Sequence, residues 1–243
     1  MTSRIPQSVP ILLAILAGYV DSCTFLALFG LFVAQVTGSF VLAGTQLVAH
    51  EEGGLVKLVA IPVFFVGCVV VTLMAGPAAR RAAAALPAAL ALEAVLLAGL
   101  FVALLAGAPF ASPNTAGAVC ASLCGLSAMG VQSALVRLIL KGAPSTNVMT
   151  SNTTQLAIDV TEFVLTLRAR RDAPADAVIA AEHARVTARL NAVWPVVFAF
   201  LAGTIAGALA FAHFHLWAVL APIAVAAALA VWALRRVFEP ASA

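Results

Sequence analysis

The chain consists of long apolar runs separated by short polar stretches. Six runs have the length and apolarity of helices that cross a bilayer, which takes about 20 residues each. They cover residues 9–28, 55–75, 86–105, 116–136, 193–211 and 214–234. The pattern therefore predicts an all-α integral membrane protein with six transmembrane helices.

Two further apolar segments, residues 31–48 and 145–166, are long enough to cross but contain polar interruptions, "QVTGSF" and "STNVMTSNTTQ". If both crossed, the chain would have eight spans, and Arg80, Arg81, Arg137 and Lys141 would lie outside. If neither crosses, every Lys and Arg except Lys57 faces the cytoplasm. The positive-inside rule favours six spans and two re-entrant, broken half-helix segments. A multi-pass protein of the bacterial cytoplasmic (inner) membrane with both termini in the cytoplasm is expected.

An internal repeat is consistent with this topology. "AGYVDS" (17–22) resembles "MGVQSA" (129–134), and the later breaks "VTGS" (36–39) and "MTSN" (149–152) are each followed by Thr-Gln-Leu. Three spans per half would give the two halves opposite orientations, which defines an inverted repeat. The sequence thus predicts a 3+3 inverted repeat, with repeat 1 at about 9–107 and repeat 2 at about 114–236, in a single membrane domain of residues 1–243.

Residues 168–191 form the most highly charged part of the chain. They carry five arginines beside an alanine-rich face, which predicts a cytoplasmic amphipathic connector lying on anionic headgroups; a plain solvated connector is the alternative. Further on, Gly203 and Gly207 form a GxxxG pattern that lets helices approach closely. Whether this pattern acts inside the bundle or in a homodimer is left open.

Composition excludes a soluble domain. Of the 243 residues, 63% are hydrophobic and 9% are charged, whereas soluble domains average about 25% charged residues. The formal charge of +3 reflects orientation in the membrane, and no nucleic-acid partner is implied. The cysteines lie in apolar runs as small buried hydrophobes. No metal and no cofactor are expected, and the expected partners are the lipid bilayer and a small-molecule or ion substrate.

Asp21 is the most expensive residue to keep inside a span. An ionised carboxylate there costs roughly 2.5–3.5 kcal/mol on insertion scales, and such acids usually belong to a substrate or proton path. The alternative is a carboxylate that caps a broken helix. On the first interpretation, Asp21→Asn should leave folding intact because the amide is nearly isosteric. Glu93, inside the third span, is expected to pair near Arg80 and Arg81.

The two polar breaks predict a binding site. Thr, Ser and Asn accept hydrogen bonds from the free N–H groups that open a helix, and Gly38 permits unusual backbone geometry. Two half-helices would then point their positive N-terminal ends at the bilayer centre; a merely kinked helix is the alternative. The candidate substrate-binding residues are Asp21, Gln35, Thr37, Gly38, Ser39, Gln132, Asn147, Thr150, Ser151 and Asn152.

These motifs resemble the YoaK family of bacterial integral membrane proteins, a domain of unknown function. The resemblance rests on "AGYVDSCTFLALFGLFVAQVTGSFVLAG" (17–44), "GVQSALVRLI" (130–139) and "NVMTSNTTQL" (147–156), and it covers nearly the whole chain. Ser39 stands where the family usually has Asn, and Ser151 where it usually has Gly. The resemblance implies no activity.

The residues favour a small secondary transporter or channel whose substrate lies between the two breaks. Half-helix N-termini favour an anionic group, while Asp21 favours a proton or cation, so a proton-coupled small organic anion would satisfy both. A non-transporting scaffold or sensor is the alternative, but it has no need of the same break twice. An intramembrane enzyme is less favoured because no catalytic motif is present.

Overall fold

A computed structural model describes residues 6–49, 54–76 and 79–238, and it places most of them in helices. The helices are α1 (Ser8–Ala27), α2 (Val36–Ala49), α3 (Gly54–Ala75), α4 (Ala79–Gly107), α5 (Ala116–Leu138), α6 (Met149–Asp172), α7 (Ala177–Phe214) and α8 (Leu220–Phe238), with a 3₁₀ turn (His215–Val219) before α8. The described part of the chain contains no strand. The all-helical prediction is therefore confirmed.

Five segments are long and apolar enough to cross a membrane. They are Ser8–Ala27, Val56–Ala75, Ala84–Gly107, Ala116–Leu138 and Ala177–Arg236, and the last contains α7, the 3₁₀ turn and α8. The apolar helix α2 is shorter, at 14 residues. Segments of this kind make the chain a multi-pass membrane protein.

Two clusters of buried side chains reveal the directions of the helices. The first contains the end of α1, an early part of α3, the end of α4, the start of α5 and the start of α8, for example Leu28, Ala60, Leu104, Ala118 and Ala226. The second contains the opposite ends of the same helices, for example Val9, Val71, Leu86, Ile139 and Ala233. Consecutive long helices α1, α3, α4 and α5 therefore alternate in direction, and α1 and α8 bring the two ends of the described chain to the same side.

Glycines allow α1 and α7 to lie in contact. A Cβ on Gly203 would lie 2.1 Å from the carbonyl oxygen of Ile15, and one on Gly207 would lie 2.5 Å from that of Tyr19. On the other helix, a Cβ on Gly18 would lie 2.3 Å from the carbonyl oxygen of Phe200. The GxxxG pattern is thus used inside the chain.

A second pair, α3 and α5, packs in the same way. A Cβ on Gly67 would lie 2.5 Å from the carbonyl oxygen of Ser127, and one on Gly130 would lie 2.3 Å from that of Phe64. Small residues at the contact let two backbones approach to this distance. Both helix pairs therefore depend on glycine for their spacing.

The region after α5 differs from its prediction. Residues 168–191 do not form one connector helix, because α6 ends at Asp172 and Asp176 caps the start of α7 by accepting hydrogen bonds from the N–H groups of Val178 and Ile179. Helix α6 is 24 residues long rather than a half-helix. The 38 residues of α7 extend about 57 Å at 1.5 Å per residue, which exceeds the thickness of a bilayer.

Gly203→Ala should destabilise the protein, because the added methyl group meets the backbone of α1. Overpacking of this kind costs about 1–3 kcal/mol, so the thermal unfolding midpoint in detergent should fall. The matched control is Gly44→Ala in α2, where a Cβ meets nothing within 4 Å; it should unfold no earlier than the parent. Equal midpoints for Gly203→Ala and the parent would contradict this packing.

Candidate functional site

The first break, between α1 and α2, turns the chain back along α1. Phe29 (φ 55°) and Gly30 (φ 76°) both have left-handed backbone conformations, and the N–H of Gly30 donates to the carbonyl oxygen of Phe25 at 3.0 Å. These residues end α1, and the following five residues lead to α2 without helical hydrogen bonds of their own.

Asp21 binds this returning segment. One carboxylate oxygen accepts hydrogen bonds from the N–H groups of Val33 (2.8 Å) and Ala34 (2.6 Å), and the other accepts from that of Gln35 (3.1 Å). The carboxylate is buried, with 3% of the residue exposed. Three backbone donors satisfy the anion, and the anion satisfies three N–H groups that have no helical partner. Asp21 therefore fastens the start of α2 to α1.

Two other side chains hold the same break. The hydroxyl of Ser39 donates to the carbonyl oxygen of Phe32 at 2.8 Å and accepts from the Phe32 N–H at 3.2 Å. The ammonium group of Lys57, near the start of α3, donates to the carbonyl oxygen of Phe29 at 2.9 Å. Side chains of α1, α2 and α3 thus meet at one short segment.

The second break, between α5 and α6, is held by an amide network. Gln132 Nε2 donates to the carbonyl oxygen of Leu13 at 2.9 Å and to Thr146 Oγ1 at 2.8 Å, and it lies 3.2 Å from Asn147 Oδ1. Asn147 Nδ2 donates to Ser133 Oγ at 2.8 Å. Gln132, Thr146 and Asn147 are all buried. This network joins α5, α1 and the segment that leads to α6.

The two breaks share their construction. Asp21 lies six residues before the last residue of α1, and Gln132 lies six residues before the last residue of α5. Ser39 and Asn152 are each the fourth residue of the following helix, and each bonds to the backbone seven residues earlier. Each half of the chain therefore holds the start of a helix against a buried polar side chain.

Helix α6 is also bound to α7. The Arg189 guanidinium donates to Asp159 at 2.5 Å and also to Glu162, while the hydroxyl of Thr166 lies 2.9 Å from His183 Nδ1. Asp159 is fully buried. These charge pairs and the Thr166–His183 contact hold the polar helix α6 against α7.

The structure divides the predicted site residues into two groups. Several serve the two networks: Asp21, Ser39, Gln132, Asn147 and Asn152. The backbone of Gln35 joins the first network, and Gly38 packs on the ring of Phe32. The side chains of Thr37, Thr150 and Ser151 are exposed. Some of the predicted site residues therefore hold the two breaks together, and others are accessible to a ligand.

The predicted capping role of the Thr-Gly-Ser and Thr-Ser-Asn motifs is wrong. These motifs form the first turns of α2 and α6, and the preceding N–H groups are satisfied by Asp21 at the first break. At the second break, Ser145 Oγ accepts hydrogen bonds from the N–H groups of Asn147 and Val148. Ser133, Ser145 and Thr146 were missed by the sequence analysis, although polar residues beside Asn147 in an apolar region were a usable signal.

A small recess and an open groove lie near the two breaks. Gln132 reaches Leu13 of α1, and a Cβ on Gly125 would lie 3.2 Å from Val33, so α1, α5 and the first break pack together. A recess of about 10 Å³ beside Lys57 has room for about one water molecule. A larger open groove of about 670 Å³ lies along the start of α6 and is lined by Met149, Thr150, Thr153, Thr154, Ala157 and Ile158.

Glu93 lies on the buried face of α4. It is fully buried, and neither carboxyl oxygen has a hydrogen-bond partner among the described residues. The side chains of the expected partners, Arg80 and Arg81, lie outside the described part of the structure. The backbone of α4 is continuous from Ala79 to Gly107, which puts twelve residues, about 18 Å of helix, between Arg81 and Glu93.

Within residues 6–49, 54–76 and 79–238, no group of three or more His, Cys, Asp or Glu could hold a metal ion. The four cysteines are free, and Cys23 Sγ contacts the carbonyl oxygen of Gly207 at 3.8 Å in the α1–α7 contact.

Comparison with known proteins gives a family match. A family model described as "Protein of unknown function (DUF1275)" matches residues 9–232. No curated protein and no solved structure matches the chain. The match covers most of the chain and includes both breaks.

Asp21→Asn should destabilise the protein, which reverses the expectation from the sequence. An amide offers one acceptor oxygen where the carboxylate offers two, so its NH₂ group would face a backbone N–H. A buried donor left unsatisfied costs about 1–3 kcal/mol, which should lower the thermal unfolding midpoint in detergent. The matched control, Asp172→Asn, makes the same change on the exposed end of α6 and should leave the midpoint unchanged. If both variants unfold with the parent, Asp21 does not fasten the break.

Proposed function

The chain belongs to the DUF1275 family, whose function is unknown, and from its two fastened breaks we propose that it is a small secondary transporter or channel. The observation that carries the proposal is the duplicated construction, in which Asp21 and Gln132 each hold the start of a helix that begins inside the bundle. Broken helices with buried polar junctions are typical of transporter binding regions. A scaffold or sensor has no need of two such breaks, and the proposed function is not enzymatic.

The proposed topology has six crossings and two re-entrant segments. The Lys57–Phe29 hydrogen bond supports it, because it joins the start of α3 to the end of α1 and α2 then does not carry the chain across. Arg137 near the end of α5 and Arg235 and Arg236 near the end of α8 lie at the same end of the bundle. The positive-inside rule supports this end as the cytoplasmic face, and the proposal is a bacterial inner-membrane protein with both termini in the cytoplasm.

The proposed architecture is an inverted repeat that pairs α1 with α5, α2 with α6, α3 with α7 and α4 with α8. The glycine contacts support it, since α1 packs on α7 as α5 packs on α3. The helices that follow the two breaks support it too, since α2 lies against α3 and α6 lies against α7. We also propose, from the motifs quoted above, that the chain resembles the YoaK family within this group.

The proposed substrate is a small organic anion that binds at the start of α6. The Asp21 carboxylate already accepts the hydrogen bonds of the backbone N–H groups at the first break. Its negative charge therefore repels an anion there. The second break is held by neutral amides and hydroxyls, and no side chain caps α6. The exposed hydroxyls of Thr150 and Ser151 and the groove beside them therefore combine with the positive end of the helix dipole.

Cysteine accessibility tests the topology in a variant without the four native cysteines. Asn114→Cys and Lys141→Cys, both at exposed positions, lie in consecutive loops on either side of α5. In six-span topology an impermeant maleimide should label position 114 from outside intact cells and position 141 only after lysis. The eight-span alternative gives the opposite pattern, and observing it would contradict the proposal.

Transport should be measured in proteoliposomes with a panel of small mono- and dicarboxylates under an imposed pH gradient. Thr150→Val should weaken transport of the active anion by about tenfold or more, because a hydrogen bond to a charged group contributes about 1.5–3 kcal/mol. Thr161→Val is the matched control, since Thr161 is exposed on the same helix but outside the groove. Absence of uptake across the panel contradicts the transporter proposal, and equal loss in both variants contradicts the site.

A further inference from the structure

Glu93 lies in the centre of the buried face of α4. The other positions of this face at helical spacing are apolar and buried: Ala85, Leu86, Ala89, Leu90, Leu97, Leu100 and Leu104. Glu93 is 0% exposed, and both carboxyl oxygens are without a partner in the described structure. A charged carboxylate in such a place is strongly disfavoured, so the group requires a proton or a cation.

A second unpartnered oxygen belongs to Gln132 on α5. Its Nε2 atom faces the carbonyl oxygen of Leu13, which can only accept, so the orientation of the amide is fixed. Oε1 then points away from this partner and has no donor among the described residues. Gln132 is also 0% exposed. A buried amide oxygen of this kind accepts a hydrogen bond at low cost.

The packing of α4 on α5 places both groups on one seam. The two helices are antiparallel, and a Cβ on Gly125 would lie 3.7 Å from Leu100. Glu93 lies seven residues before Leu100, and Gln132 lies seven residues after Gly125. Seven residues are about two helical turns and about 10.5 Å, so Glu93 lies on the same face of α4 as Leu100, and Gln132 on the same face of α5 as Gly125. Because the helices are antiparallel, the step back along α4 and the step forward along α5 run in the same direction in space.

We propose that Glu93 and Gln132 form a proton-binding site between α4 and α5, in which the Glu93 carboxyl donates its proton to Gln132 Oε1. When the proton leaves, it passes to water and the carboxylate remains on α4. Three unpartnered oxygens are too few for a sodium or magnesium ion, which takes about six ligands. A proton needs only the donor and one acceptor.

The site is joined to the second break. Gln132 contacts Thr146 and Asn147 through Nε2. Loss of the proton on Glu93 removes the hydrogen bond to Oε1 of the same amide, which fastens the start of α6. If the proposed transport function holds, Glu93 carries the coupling proton and Asp21 positions the first break. The coupling role rests on that function; the proton site does not.

The other titratable groups on the helices around α4 either contact other residues or are exposed. Cys68 of α3 contacts the carbonyl oxygen of Gly130, Lys57 of α3 binds Phe29, and Cys124 of α5 lies beside the Gly99 position. Side chains exposed on these elements are those of Cys120, Arg137, His215, Arg235 and Arg236. A titration at this seam therefore belongs to Glu93.

Dicyclohexylcarbodiimide, which modifies protonated carboxyls in apolar surroundings, tests the site on the native protein in lipid nanodiscs. Mass spectrometry should find the label on Glu93, and labelling should fall about tenfold per pH unit once the carboxyl is mostly ionised. Asp21, equally buried but bound by three N–H groups, should stay unlabelled. Label on Asp21 and not on Glu93 would overturn the proposal.

Infrared spectroscopy gives a second measurement. The carbonyl band of a protonated carboxyl should titrate with pH, disappear in Glu93→Gln and shift to higher frequency in Gln132→Leu. The matched control is Gln7→Leu, at an exposed position before α1 whose side chain makes no cap. A band that does not titrate, or that is indifferent to Gln132→Leu, would overturn the proposal; if Gln132→Leu does not fold, labelling of the native protein decides. Neither measurement needs a substrate. If Glu93 titrates but no uptake is found, the transport proposal is refuted and the proton site stands.

Discussion

Every backbone N–H and C=O inside a bilayer must find a partner within the protein, because no water is present to supply one. The rest of this structure depends on how that requirement is met at two places where helices are interrupted. At the first, the Asp21 carboxylate takes three successive N–H groups. At the second, Gln132 and Asn147 bind the loop and the neighbouring helices. Without these partners, neither interruption would be tolerated inside the bundle.

The helix packing follows from this arrangement. Helices α1 and α5 carry the anchoring side chains, and each is held by a long neighbour through glycine contacts, α1 by α7 and α5 by α3. The half-helix α2 and the start of α6 lie against α3 and α7. Close backbone approach at Gly18, Gly203 and Gly130 therefore fixes the positions of the residues on which the two breaks depend.

The two breaks are alike in construction and different in charge. The first contains a carboxylate whose hydrogen bonds are complete, whereas the second contains neutral groups and leaves Gln132 Oε1 without a donor in the described structure. This difference is the reason for proposing the start of α6, and not the start of α2, as the place where an anionic ligand binds. It also separates two acids that look similar in the sequence: Asp21 has three donors, while Glu93 has none that the described residues supply.

The sequence by itself determined that the chain lies in a membrane, where its apolar helices are, and that two breaks exist. Hydrophobicity and helical length are local properties, so they can be read from the sequence. The boundaries of α1, α3 and α5 agree with the predicted runs to within two residues. Partners were not local: Gln132 bonds to Leu13 across 119 positions, and Asp21 bonds to amides 12 to 14 residues on. Only the tertiary structure could decide that Asp21 fastens a turn, that α6 continues along α7, and that Glu93 is fully buried without a donor among the described residues. Hydrogen-bond geometry and burial settle these points, and they depend on positions in space that residue types do not specify.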